Sequence, residues 1–180
     1  MTGFKDRIVR AAKLDVHLYE EVEADKSAMG QAMSVVVLSS VAAGIGGMGM
    51  GAAGASGIPM GIISNLVGWY IWAFLTYFIG TKLLPEPQTH ADLGELLRTI
   101  GFSSSPGLIK IFGIIPSLGA LLYSAASIWM LVAMVIAVRQ ALDYKSTWRA
   151  VGVCAIGWII QMVFIMVLFF LFGGASPPAG

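Results

Sequence analysis

Five long apolar runs, separated by short polar segments, constrain most strongly how this chain of 180 residues folds. They cover approximately residues 28–48, 62–84, 100–118, 119–142 and 148–172. A membrane-crossing helix needs about 20 mostly apolar residues, since each residue rises about 1.5 Å through a hydrocarbon core of about 30 Å. Only 12% of the residues are charged, too few to cover the surface of a soluble domain. The sequence therefore predicts an all-α, polytopic membrane protein with five transmembrane helices.

The third and fourth runs are divided only by "IPSLG", residues 115–119. Pro116 followed by Gly119 is typical of a tight turn, and together the two runs are long enough for two crossings. We expect them to form a hairpin in the membrane.

The charged residues predict the orientation, because cytoplasmic loops collect Lys and Arg. With the N-terminus inside, the cytoplasmic segments hold Lys5, Arg7, Arg10, Lys13, Lys26, Lys82, Arg98, Arg139, Lys145 and Arg149. All ten acidic residues fall in the same segments, and the other side carries no charge. We therefore expect an N-in, C-out protein with a cytoplasmic segment over residues 1–27, a membrane domain over 28–172 and a non-cytoplasmic tail over 173–180.

The stretch "GIGGMGMGAAGASGIPMG", residues 44–61, contains the spacing of a dinucleotide-binding G-x-G-x-x-G at Gly49, Gly51 and Gly54. In such a fingerprint the glycines follow a β-strand, and an acidic residue lies about 20 residues later. Here the glycines follow an apolar run instead of a β-strand, and the corresponding later region, "WAFLTYF", contains no acidic residue. The stretch predicts an uncharged outer loop, with Gly44 and Gly47 at its inner edge allowing helices to approach closely.

The N-terminal segment predicts a basic amphipathic helix, with Phe4, Ile8 and Ala11 along one side. Two interpretations stay open: a helix lying in the headgroup layer, or a solvated helix that caps the bundle. In the first, Arg7, Arg10 and Lys13 contact lipid or a partner. The acidic continuation, Glu20, Glu21, Glu23 and Asp25, then turns away toward solvent or a partner.

A second amphipathic helix is predicted before the third span. Leu93, Leu96, Leu97 and Ile100 share one helical face. Thr89 followed by Asp92 resembles a capping box with Asp in the Glu position. We expect this helix to run along the membrane surface before the chain turns inward.

No set of residues predicts catalytic or metal chemistry. His17 and His90 lack the spacing of a helical metal site, and Cys154 is the single cysteine. A net charge of +1 does not favour nucleic-acid binding. We therefore expect a non-catalytic protein with no cofactor and no metal. In "SSSPG" we expect Pro106 and Gly107 to form a kink, with serine side chains satisfying the freed carbonyls.

Lys110 is the one charged side chain away from the ends of a predicted span, where charge is costly and by default suggests function. It can snorkel to the cytoplasmic headgroups, bind an anionic lipid, face a partner subunit or line a transport path. We favour snorkelling or lipid contact.

Three segments resemble a known family: "AAKLDVHLYEEVEADKSAMGQA", "GELLRTIGFSSSPGLIKIFGIIPSLG" and "IWMLVAMVIAVRQALDY". They are similar to the Yip family, the Ypt/Rab-interacting membrane proteins, in its bacterial branch. The resemblance implies five membrane helices and a cytoplasmic N-terminus, and eukaryotic members are associated with Rab GTPases and early secretory traffic.

The expected function is that of an accessory or scaffold protein of the bacterial inner membrane. It binds or organises a membrane protein complex or lipids, with a membrane-protein partner or a second copy as its expected contact. The alternative is a small transporter or channel component with Lys110 near an anion path.

Overall fold

The structure, a computed structural model, describes residues 3–51 and 54–172, so the predicted tail 173–180 lies outside the described residues. Within those ranges the chain is α-helical and contains no strand. The α-helices are α1 (Phe4–Ala12), α2 (Val16–Ala24), α3 (Met29–Met48), α4 (Ile58–Phe78), α5 (Leu93–Ser103), α6 (Gly119–Ala141) and α7 (Thr147–Phe172). Helix α4 continues into a π-helix, Ile79–Leu83, and α5 is followed by a 3-10 helix, Ser105–Ile114.

Four helical segments of the described chain are long and apolar enough to cross a membrane. They are Lys26–Met48, Ala55–Leu83, Gly119–Ala141 and Thr147–Phe164. The third predicted run does not form one regular helix. It consists of the end of α5 and the 3-10 helix, which ends at Ile114.

This irregular segment runs beside α3 in the same direction. Gly101 packs against Ala32, Gly107 against Ser39, and Gly113 against Gly46. Residue numbers therefore rise in the same direction in both segments along the contact. A Cβ on Gly113 would lie 2.9 Å from the Cα of Gly46. Because a 3-10 helix rises about 2.0 Å per residue, this short segment covers about the same depth as the longer stretch of α3.

The other helices alternate in direction around this pair. The start of α4 meets the end of α3 where Gly44 faces Ile58, and its far end meets the end of α6 where Gly80 faces Leu142. We call the face that carries α1, α2 and the connections before α5 and α7 the N-terminal face. The far face carries the connections before α4 and α6.

Helices α1 and α2 pack on the bundle through apolar contacts. Leu18, Tyr19 and Val22 of α2 are fully buried in a cluster that includes Phe102 of α5 and Ala137 of α6. The N-terminal segment therefore packs on the end of the bundle, and its position relative to the headgroup layer stays a prediction.

The prediction of a surface helix before the third span is wrong in two respects. Helix α5 belongs to the bundle, and every residue from Leu96 to Ser103 is buried. Its capping box is formed by Asp92 and Glu95, three residues later than predicted. Thr89 instead accepts a hydrogen bond from the Glu86 amide in the preceding turn.

Candidate functional site

Arg7 is buried on the N-terminal face, where it holds α1 against α2 and α3. Its guanidinium donates to Glu21 Oε1 at 3.0 Å, to Asp25 Oδ2 at 2.8 Å and to Gln31 Oε1 at 3.1 Å. Leu14 turns the chain back between α1 and α2 with a left-handed φ of 62°. Glu21 and Asp25 therefore contact the basic helix, whereas the sequence predicted that they turn away from it.

Arg10 belongs to the same ion cluster. It donates to Asp15 at 2.8 Å and to Glu21 at 2.6 Å, and the Arg10 hydrogen bond lowers the pKa of Asp15 below its usual value. Both arginines predicted to contact lipid are thus engaged within the chain. Lys13, the third member of that set, is exposed.

Arg98 of α5 binds the C-terminal end of α2. Its Nε donates to the Val22 carbonyl at 2.8 Å, and its Nη2 donates to the Glu23 carbonyl. The last carbonyls of a helix have no partner within the helix, so a buried arginine can satisfy them. This contact joins residues 76 positions apart and was not predicted from the sequence.

The two loops of the N-terminal face are joined by polar contacts. The Tyr144 hydroxyl donates to the Gly80 and Leu84 carbonyls at 3.0 and 2.7 Å. Arg149 forms an ion pair with Glu86 at 3.2 Å. The connections before α5 and α7 therefore form one layer with the end of α4.

A polar recess of about 300 Å³ lies between α2 and the end of α6, lined by Glu20, Glu23 and Asp143 and by Arg139 and Lys145 among others. Burial, followed by the nearby charges of Asp143, Glu95 and Glu20, raises the pKa of Glu23 to about 7. The protonation state of the Glu23 carboxyl therefore changes near neutral pH.

A half-open cavity of about 360 Å³ lies between the helices of the membrane-spanning bundle. Helices α3, α4, α6 and α7 line it together with the end of α5 and the 3-10 helix. Its polar lining residues are Ser39, Ser40, Asn65, Trp69, Trp72, Ser103, Ser104, Lys110 and Gln161. An Asn65-to-Ser40 hydrogen bond of 3.0 Å fixes part of the wall between α3 and α4.

Lys110 contributes the charge of this cavity. Its ammonium lies 4.8 Å from the centroid of the Tyr123 ring, within the range of a cation–π contact. Its backbone packs against Gly46, two residues before the end of α3, so it lies toward the far face. Lys110 therefore lies away from the N-terminal face, and its snorkelling to the cytoplasmic headgroups stays a prediction.

Trp72 contributes an unpaired donor. In the part of the chain that the structure describes, its indole Nε1 is the buried side-chain nitrogen with no hydrogen-bond partner. Trp69, one helical turn earlier, instead donates to the Leu97 carbonyl at 3.1 Å. The benzo edge of Trp72 faces Gly157 of α7, so the nitrogen side of the ring points away from α7.

The predicted kink and packing residues lie along the α3 contact. Pro106 lies in the first turn of the 3-10 helix, and the nearby hydroxyls of Ser103 and Ser105 donate to the Ile100 and Phe102 carbonyls, both at 2.7 Å. Gly107 packs directly against Ser39 Oγ. A Cβ on Gly44 would lie 2.9 Å from Ile58, and Gly47 is buried near the same helix pair.

Over residues 3–51 and 54–172, no three His, Cys, Asp or Glu side chains are placed to hold a metal ion. The His17 ring lies 3.3 Å from Glu20, and both side chains are exposed. Cys154 is buried in the apolar core.

Comparison with models of known protein families gives a match. The family model described as the Yip1 domain matches residues 19–169, which include α3 to α6 and most of α2 and α7. Comparison with the curated proteins and with the solved structures gave no match. Since the matched region covers most of the chain, the protein belongs to the Yip1 domain family.

Proposed function

We propose that this chain is a non-catalytic, five-span membrane protein that binds or organises a membrane protein complex or lipids. The observation that carries the proposal is its uncovered apolar surface. In three of the four candidate spans, only 22% of the residues in the most apolar window are buried within the chain. Such a surface needs lipid or another membrane protein against it.

Helix α4 presents part of this surface as a continuous stripe. Its exposed large side chains recur every three or four residues: Met60, Ile63, Val67, Tyr70, Ile71, Phe74 and Phe78. This spacing places them on one face of the helix over its whole length. A partner helix or a second copy binds here in the proposed assembly.

The proposed topology has five crossings, with the N-terminal face in the cytoplasm. Two observations support it: the segment 101–113 runs parallel to α3 at matching depth, and the basic residues other than Lys110 belong to the N-terminal face. We expect this protein in the bacterial inner membrane.

A photo-reactive amino acid tests the proposal directly. Placed at Val67, which is 53% exposed, it should cross-link one protein or a defined lipid in native membranes. Placed at Ala73, which is fully buried in the same helix, it should give only cross-links within the chain. Equal cross-linking at both positions, or turnover of a substrate by the purified protein, would contradict the proposal.

The position of Lys110 in a cavity favours one alternative, a small transport or channel component. Reconstituted vesicles distinguish the two, since a transport role predicts an anion flux that Lys110→Met removes. The proposed function predicts no flux in either variant.

A further inference from the structure

We propose that the half-open cavity of the membrane domain receives the side chains of a transmembrane helix from a different protein, whose carboxylate pairs with Lys110. This inference rests on the proposed function and names the chemistry of the partner. It depends on two polar side chains of the cavity wall, Lys110 and Gln161, and on the way in which α7 leaves the bundle.

The first polar side chain is Lys110. Among the described residues no carboxylate lies within ion-pair distance of its ammonium, and the Tyr123 ring, whose centroid lies 4.8 Å away, offers only a partial counter-charge. Tyr123 lies four residues after Gly119, where α6 begins, so the ammonium lies about 6 Å inside the far end of that helix. A cation at such a depth is costly unless an anion pairs with it.

The second polar side chain is Gln161 of α7, which lines the same cavity and makes no hydrogen bond to another described residue. Trp158 of α7 and Leu131 of α6 line one small apolar cavity, and the two helices run in opposite directions. Gln161 therefore lies one to two helical turns, about 6–10 Å, nearer the middle of the bilayer than Tyr123. The cavity wall has polar groups without a partner at two depths.

Two depths favour a helix over a lipid as the occupant. A lipid has its charged group at the headgroup level and offers only acyl chains inside the hydrocarbon core. A transmembrane helix presents side chains at every turn of one face. A carboxylate and a second polar side chain about four or seven positions away can therefore meet Lys110 and Gln161 together.

Helix α7 leaves room for such a helix beside the cavity. The residues of α7 that are buried all lie in its first half: Ala150, Val153, Cys154 and Gly157. After Gly157, every side chain of α7 that the structure describes is exposed and apolar except Gln161. The far half of α7, residues 158–172, therefore offers a partner helix an apolar surface with one polar side chain, next to the opening of the cavity.

A second copy of this chain in the same orientation cannot supply an acidic side chain to Lys110. All ten acidic residues lie between residues 6 and 25, between 86 and 95, or at 143, in segments that belong to the N-terminal face. The connections of the far face, 49–57 and 115–118, contain no charged residue. The partner is therefore a different protein with an Asp or Glu near the far end of a membrane span.

A synthetic probe helix tests the charge pairing on the native chain. The probe is a polyleucine transmembrane helix with one Asp about one turn from its end and a dansyl group at that end, reconstituted with the protein in phosphatidylcholine vesicles. Energy transfer from the five tryptophans of the chain measures association. We expect the Asp helix to bind at least about tenfold more tightly than the same helix with Leu or Lys at that position. Equal binding of the three helices would overturn the proposal.

Variants of Lys110 show whether the pairing belongs to the cavity. Lys110→Met should remove the preference for the Asp helix, Lys110→Arg should keep it, and Lys110→Asp should transfer it to the Lys helix. Lys82→Met, which removes an exposed lysine of the N-terminal face, is the matched control. Native elution in size-exclusion chromatography shows that each variant is folded. A preference for the Asp helix that survives Lys110→Met would contradict the pairing.

A photo-reactive amino acid at Met162, which is 70% exposed, identifies the natural occupant in native membranes. We expect a cross-link to a protein whose cross-linked span contains Asp or Glu, with a yield at least about tenfold lower in Lys110→Met. No product, a span without an acidic residue, or a lipid as the Lys110-dependent product would overturn the proposal. Cross-linking at Val67 of α4 does not depend on Lys110, so a failure at Met162 alone leaves the proposed function in place.

Discussion

Replacing Arg7 by Met should release the N-terminal helices from the bundle without unfolding the membrane domain. Arg7 makes three side-chain hydrogen bonds, two of them to carboxylates. Removing one partner of a buried ion pair costs about 3–5 kcal/mol. Here the Arg7 side chain is 8% exposed, but its two carboxylate partners are each 30% exposed. Water can therefore solvate the two carboxylates after Arg7 is removed, which offsets part of the cost. We expect a cost of about 2–3 kcal/mol.

Hydrogen exchange in nanodiscs measures this change. A loss of 2–3 kcal/mol in local opening free energy corresponds to amide exchange roughly 30- to 150-fold faster in α1. Amides of α3 and α6 should keep their native protection. Lys13→Met is the matched control, since it removes the same charge from an exposed position at the end of α1. Unchanged protection in Arg7→Met, or an equal loss in Lys13→Met, would refute the reasoning.

Three further predictions concern the N-terminal face and the close helix contact. Arg98→Lys should destabilise the cap by about 1–3 kcal/mol in a hydrogen-exchange measurement, because an ammonium cannot span both α2 carbonyls as the guanidinium does. Because burial raises the pKa of Glu23 from 4.5 to about 7, the folded state binds the extra proton between these values, and stability should fall as pH rises through 7. In thermal melts from pH 5 to 8, Glu23→Gln should lose this component, worth about 1–2 kcal/mol after allowing for solvent screening, and Asp6→Asn should retain it; a pH profile unchanged in Glu23→Gln would contradict the assignment. Gly46→Ala should abolish the folded, monodisperse protein in size-exclusion chromatography, since its Cβ would collide with the Lys110 carbonyl, while Gly68→Ala, with open space around it, should behave as the native chain.

The helical class and the apolar runs could be predicted because they depend on local composition. Residues 28–48 and 119–142 correspond closely to the helical segments Lys26–Met48 and Gly119–Ala141, which are long and apolar enough to cross a membrane. The charge pattern also separates one face from the other before any contact is known. These features need no knowledge of which residues meet in space.

The sites could not be predicted in the same way, because they depend on contacts distant in sequence. A leucine at position 14 does not predict a left-handed backbone, as a glycine would, yet the left-handed φ of Leu14 turns the chain and brings the acidic helix onto Arg7. The depth of Lys110 could not be predicted, because the sequence places α5 on the membrane surface whereas α5 is buried in the bundle and already covers part of the depth before Pro106. The 3-10 geometry adds only about 2 Å between Pro106 and Lys110. The unpaired nitrogen of Trp72 is visible only after the bundle is assembled.

The five-crossing topology is the central claim, and cysteine labelling from outside intact cells tests it most directly. After Cys154→Ala, single cysteines at Ser117, His90 and Ser146 cover the two ends of the irregular third segment and the loop before α7. A membrane-impermeant thiol reagent should label Ser117→Cys, and it should label His90→Cys and Ser146→Cys only after the cells are permeabilised. If positions 90 and 117 respond alike, residues 93–114 do not cross the membrane, and the five-span account is wrong.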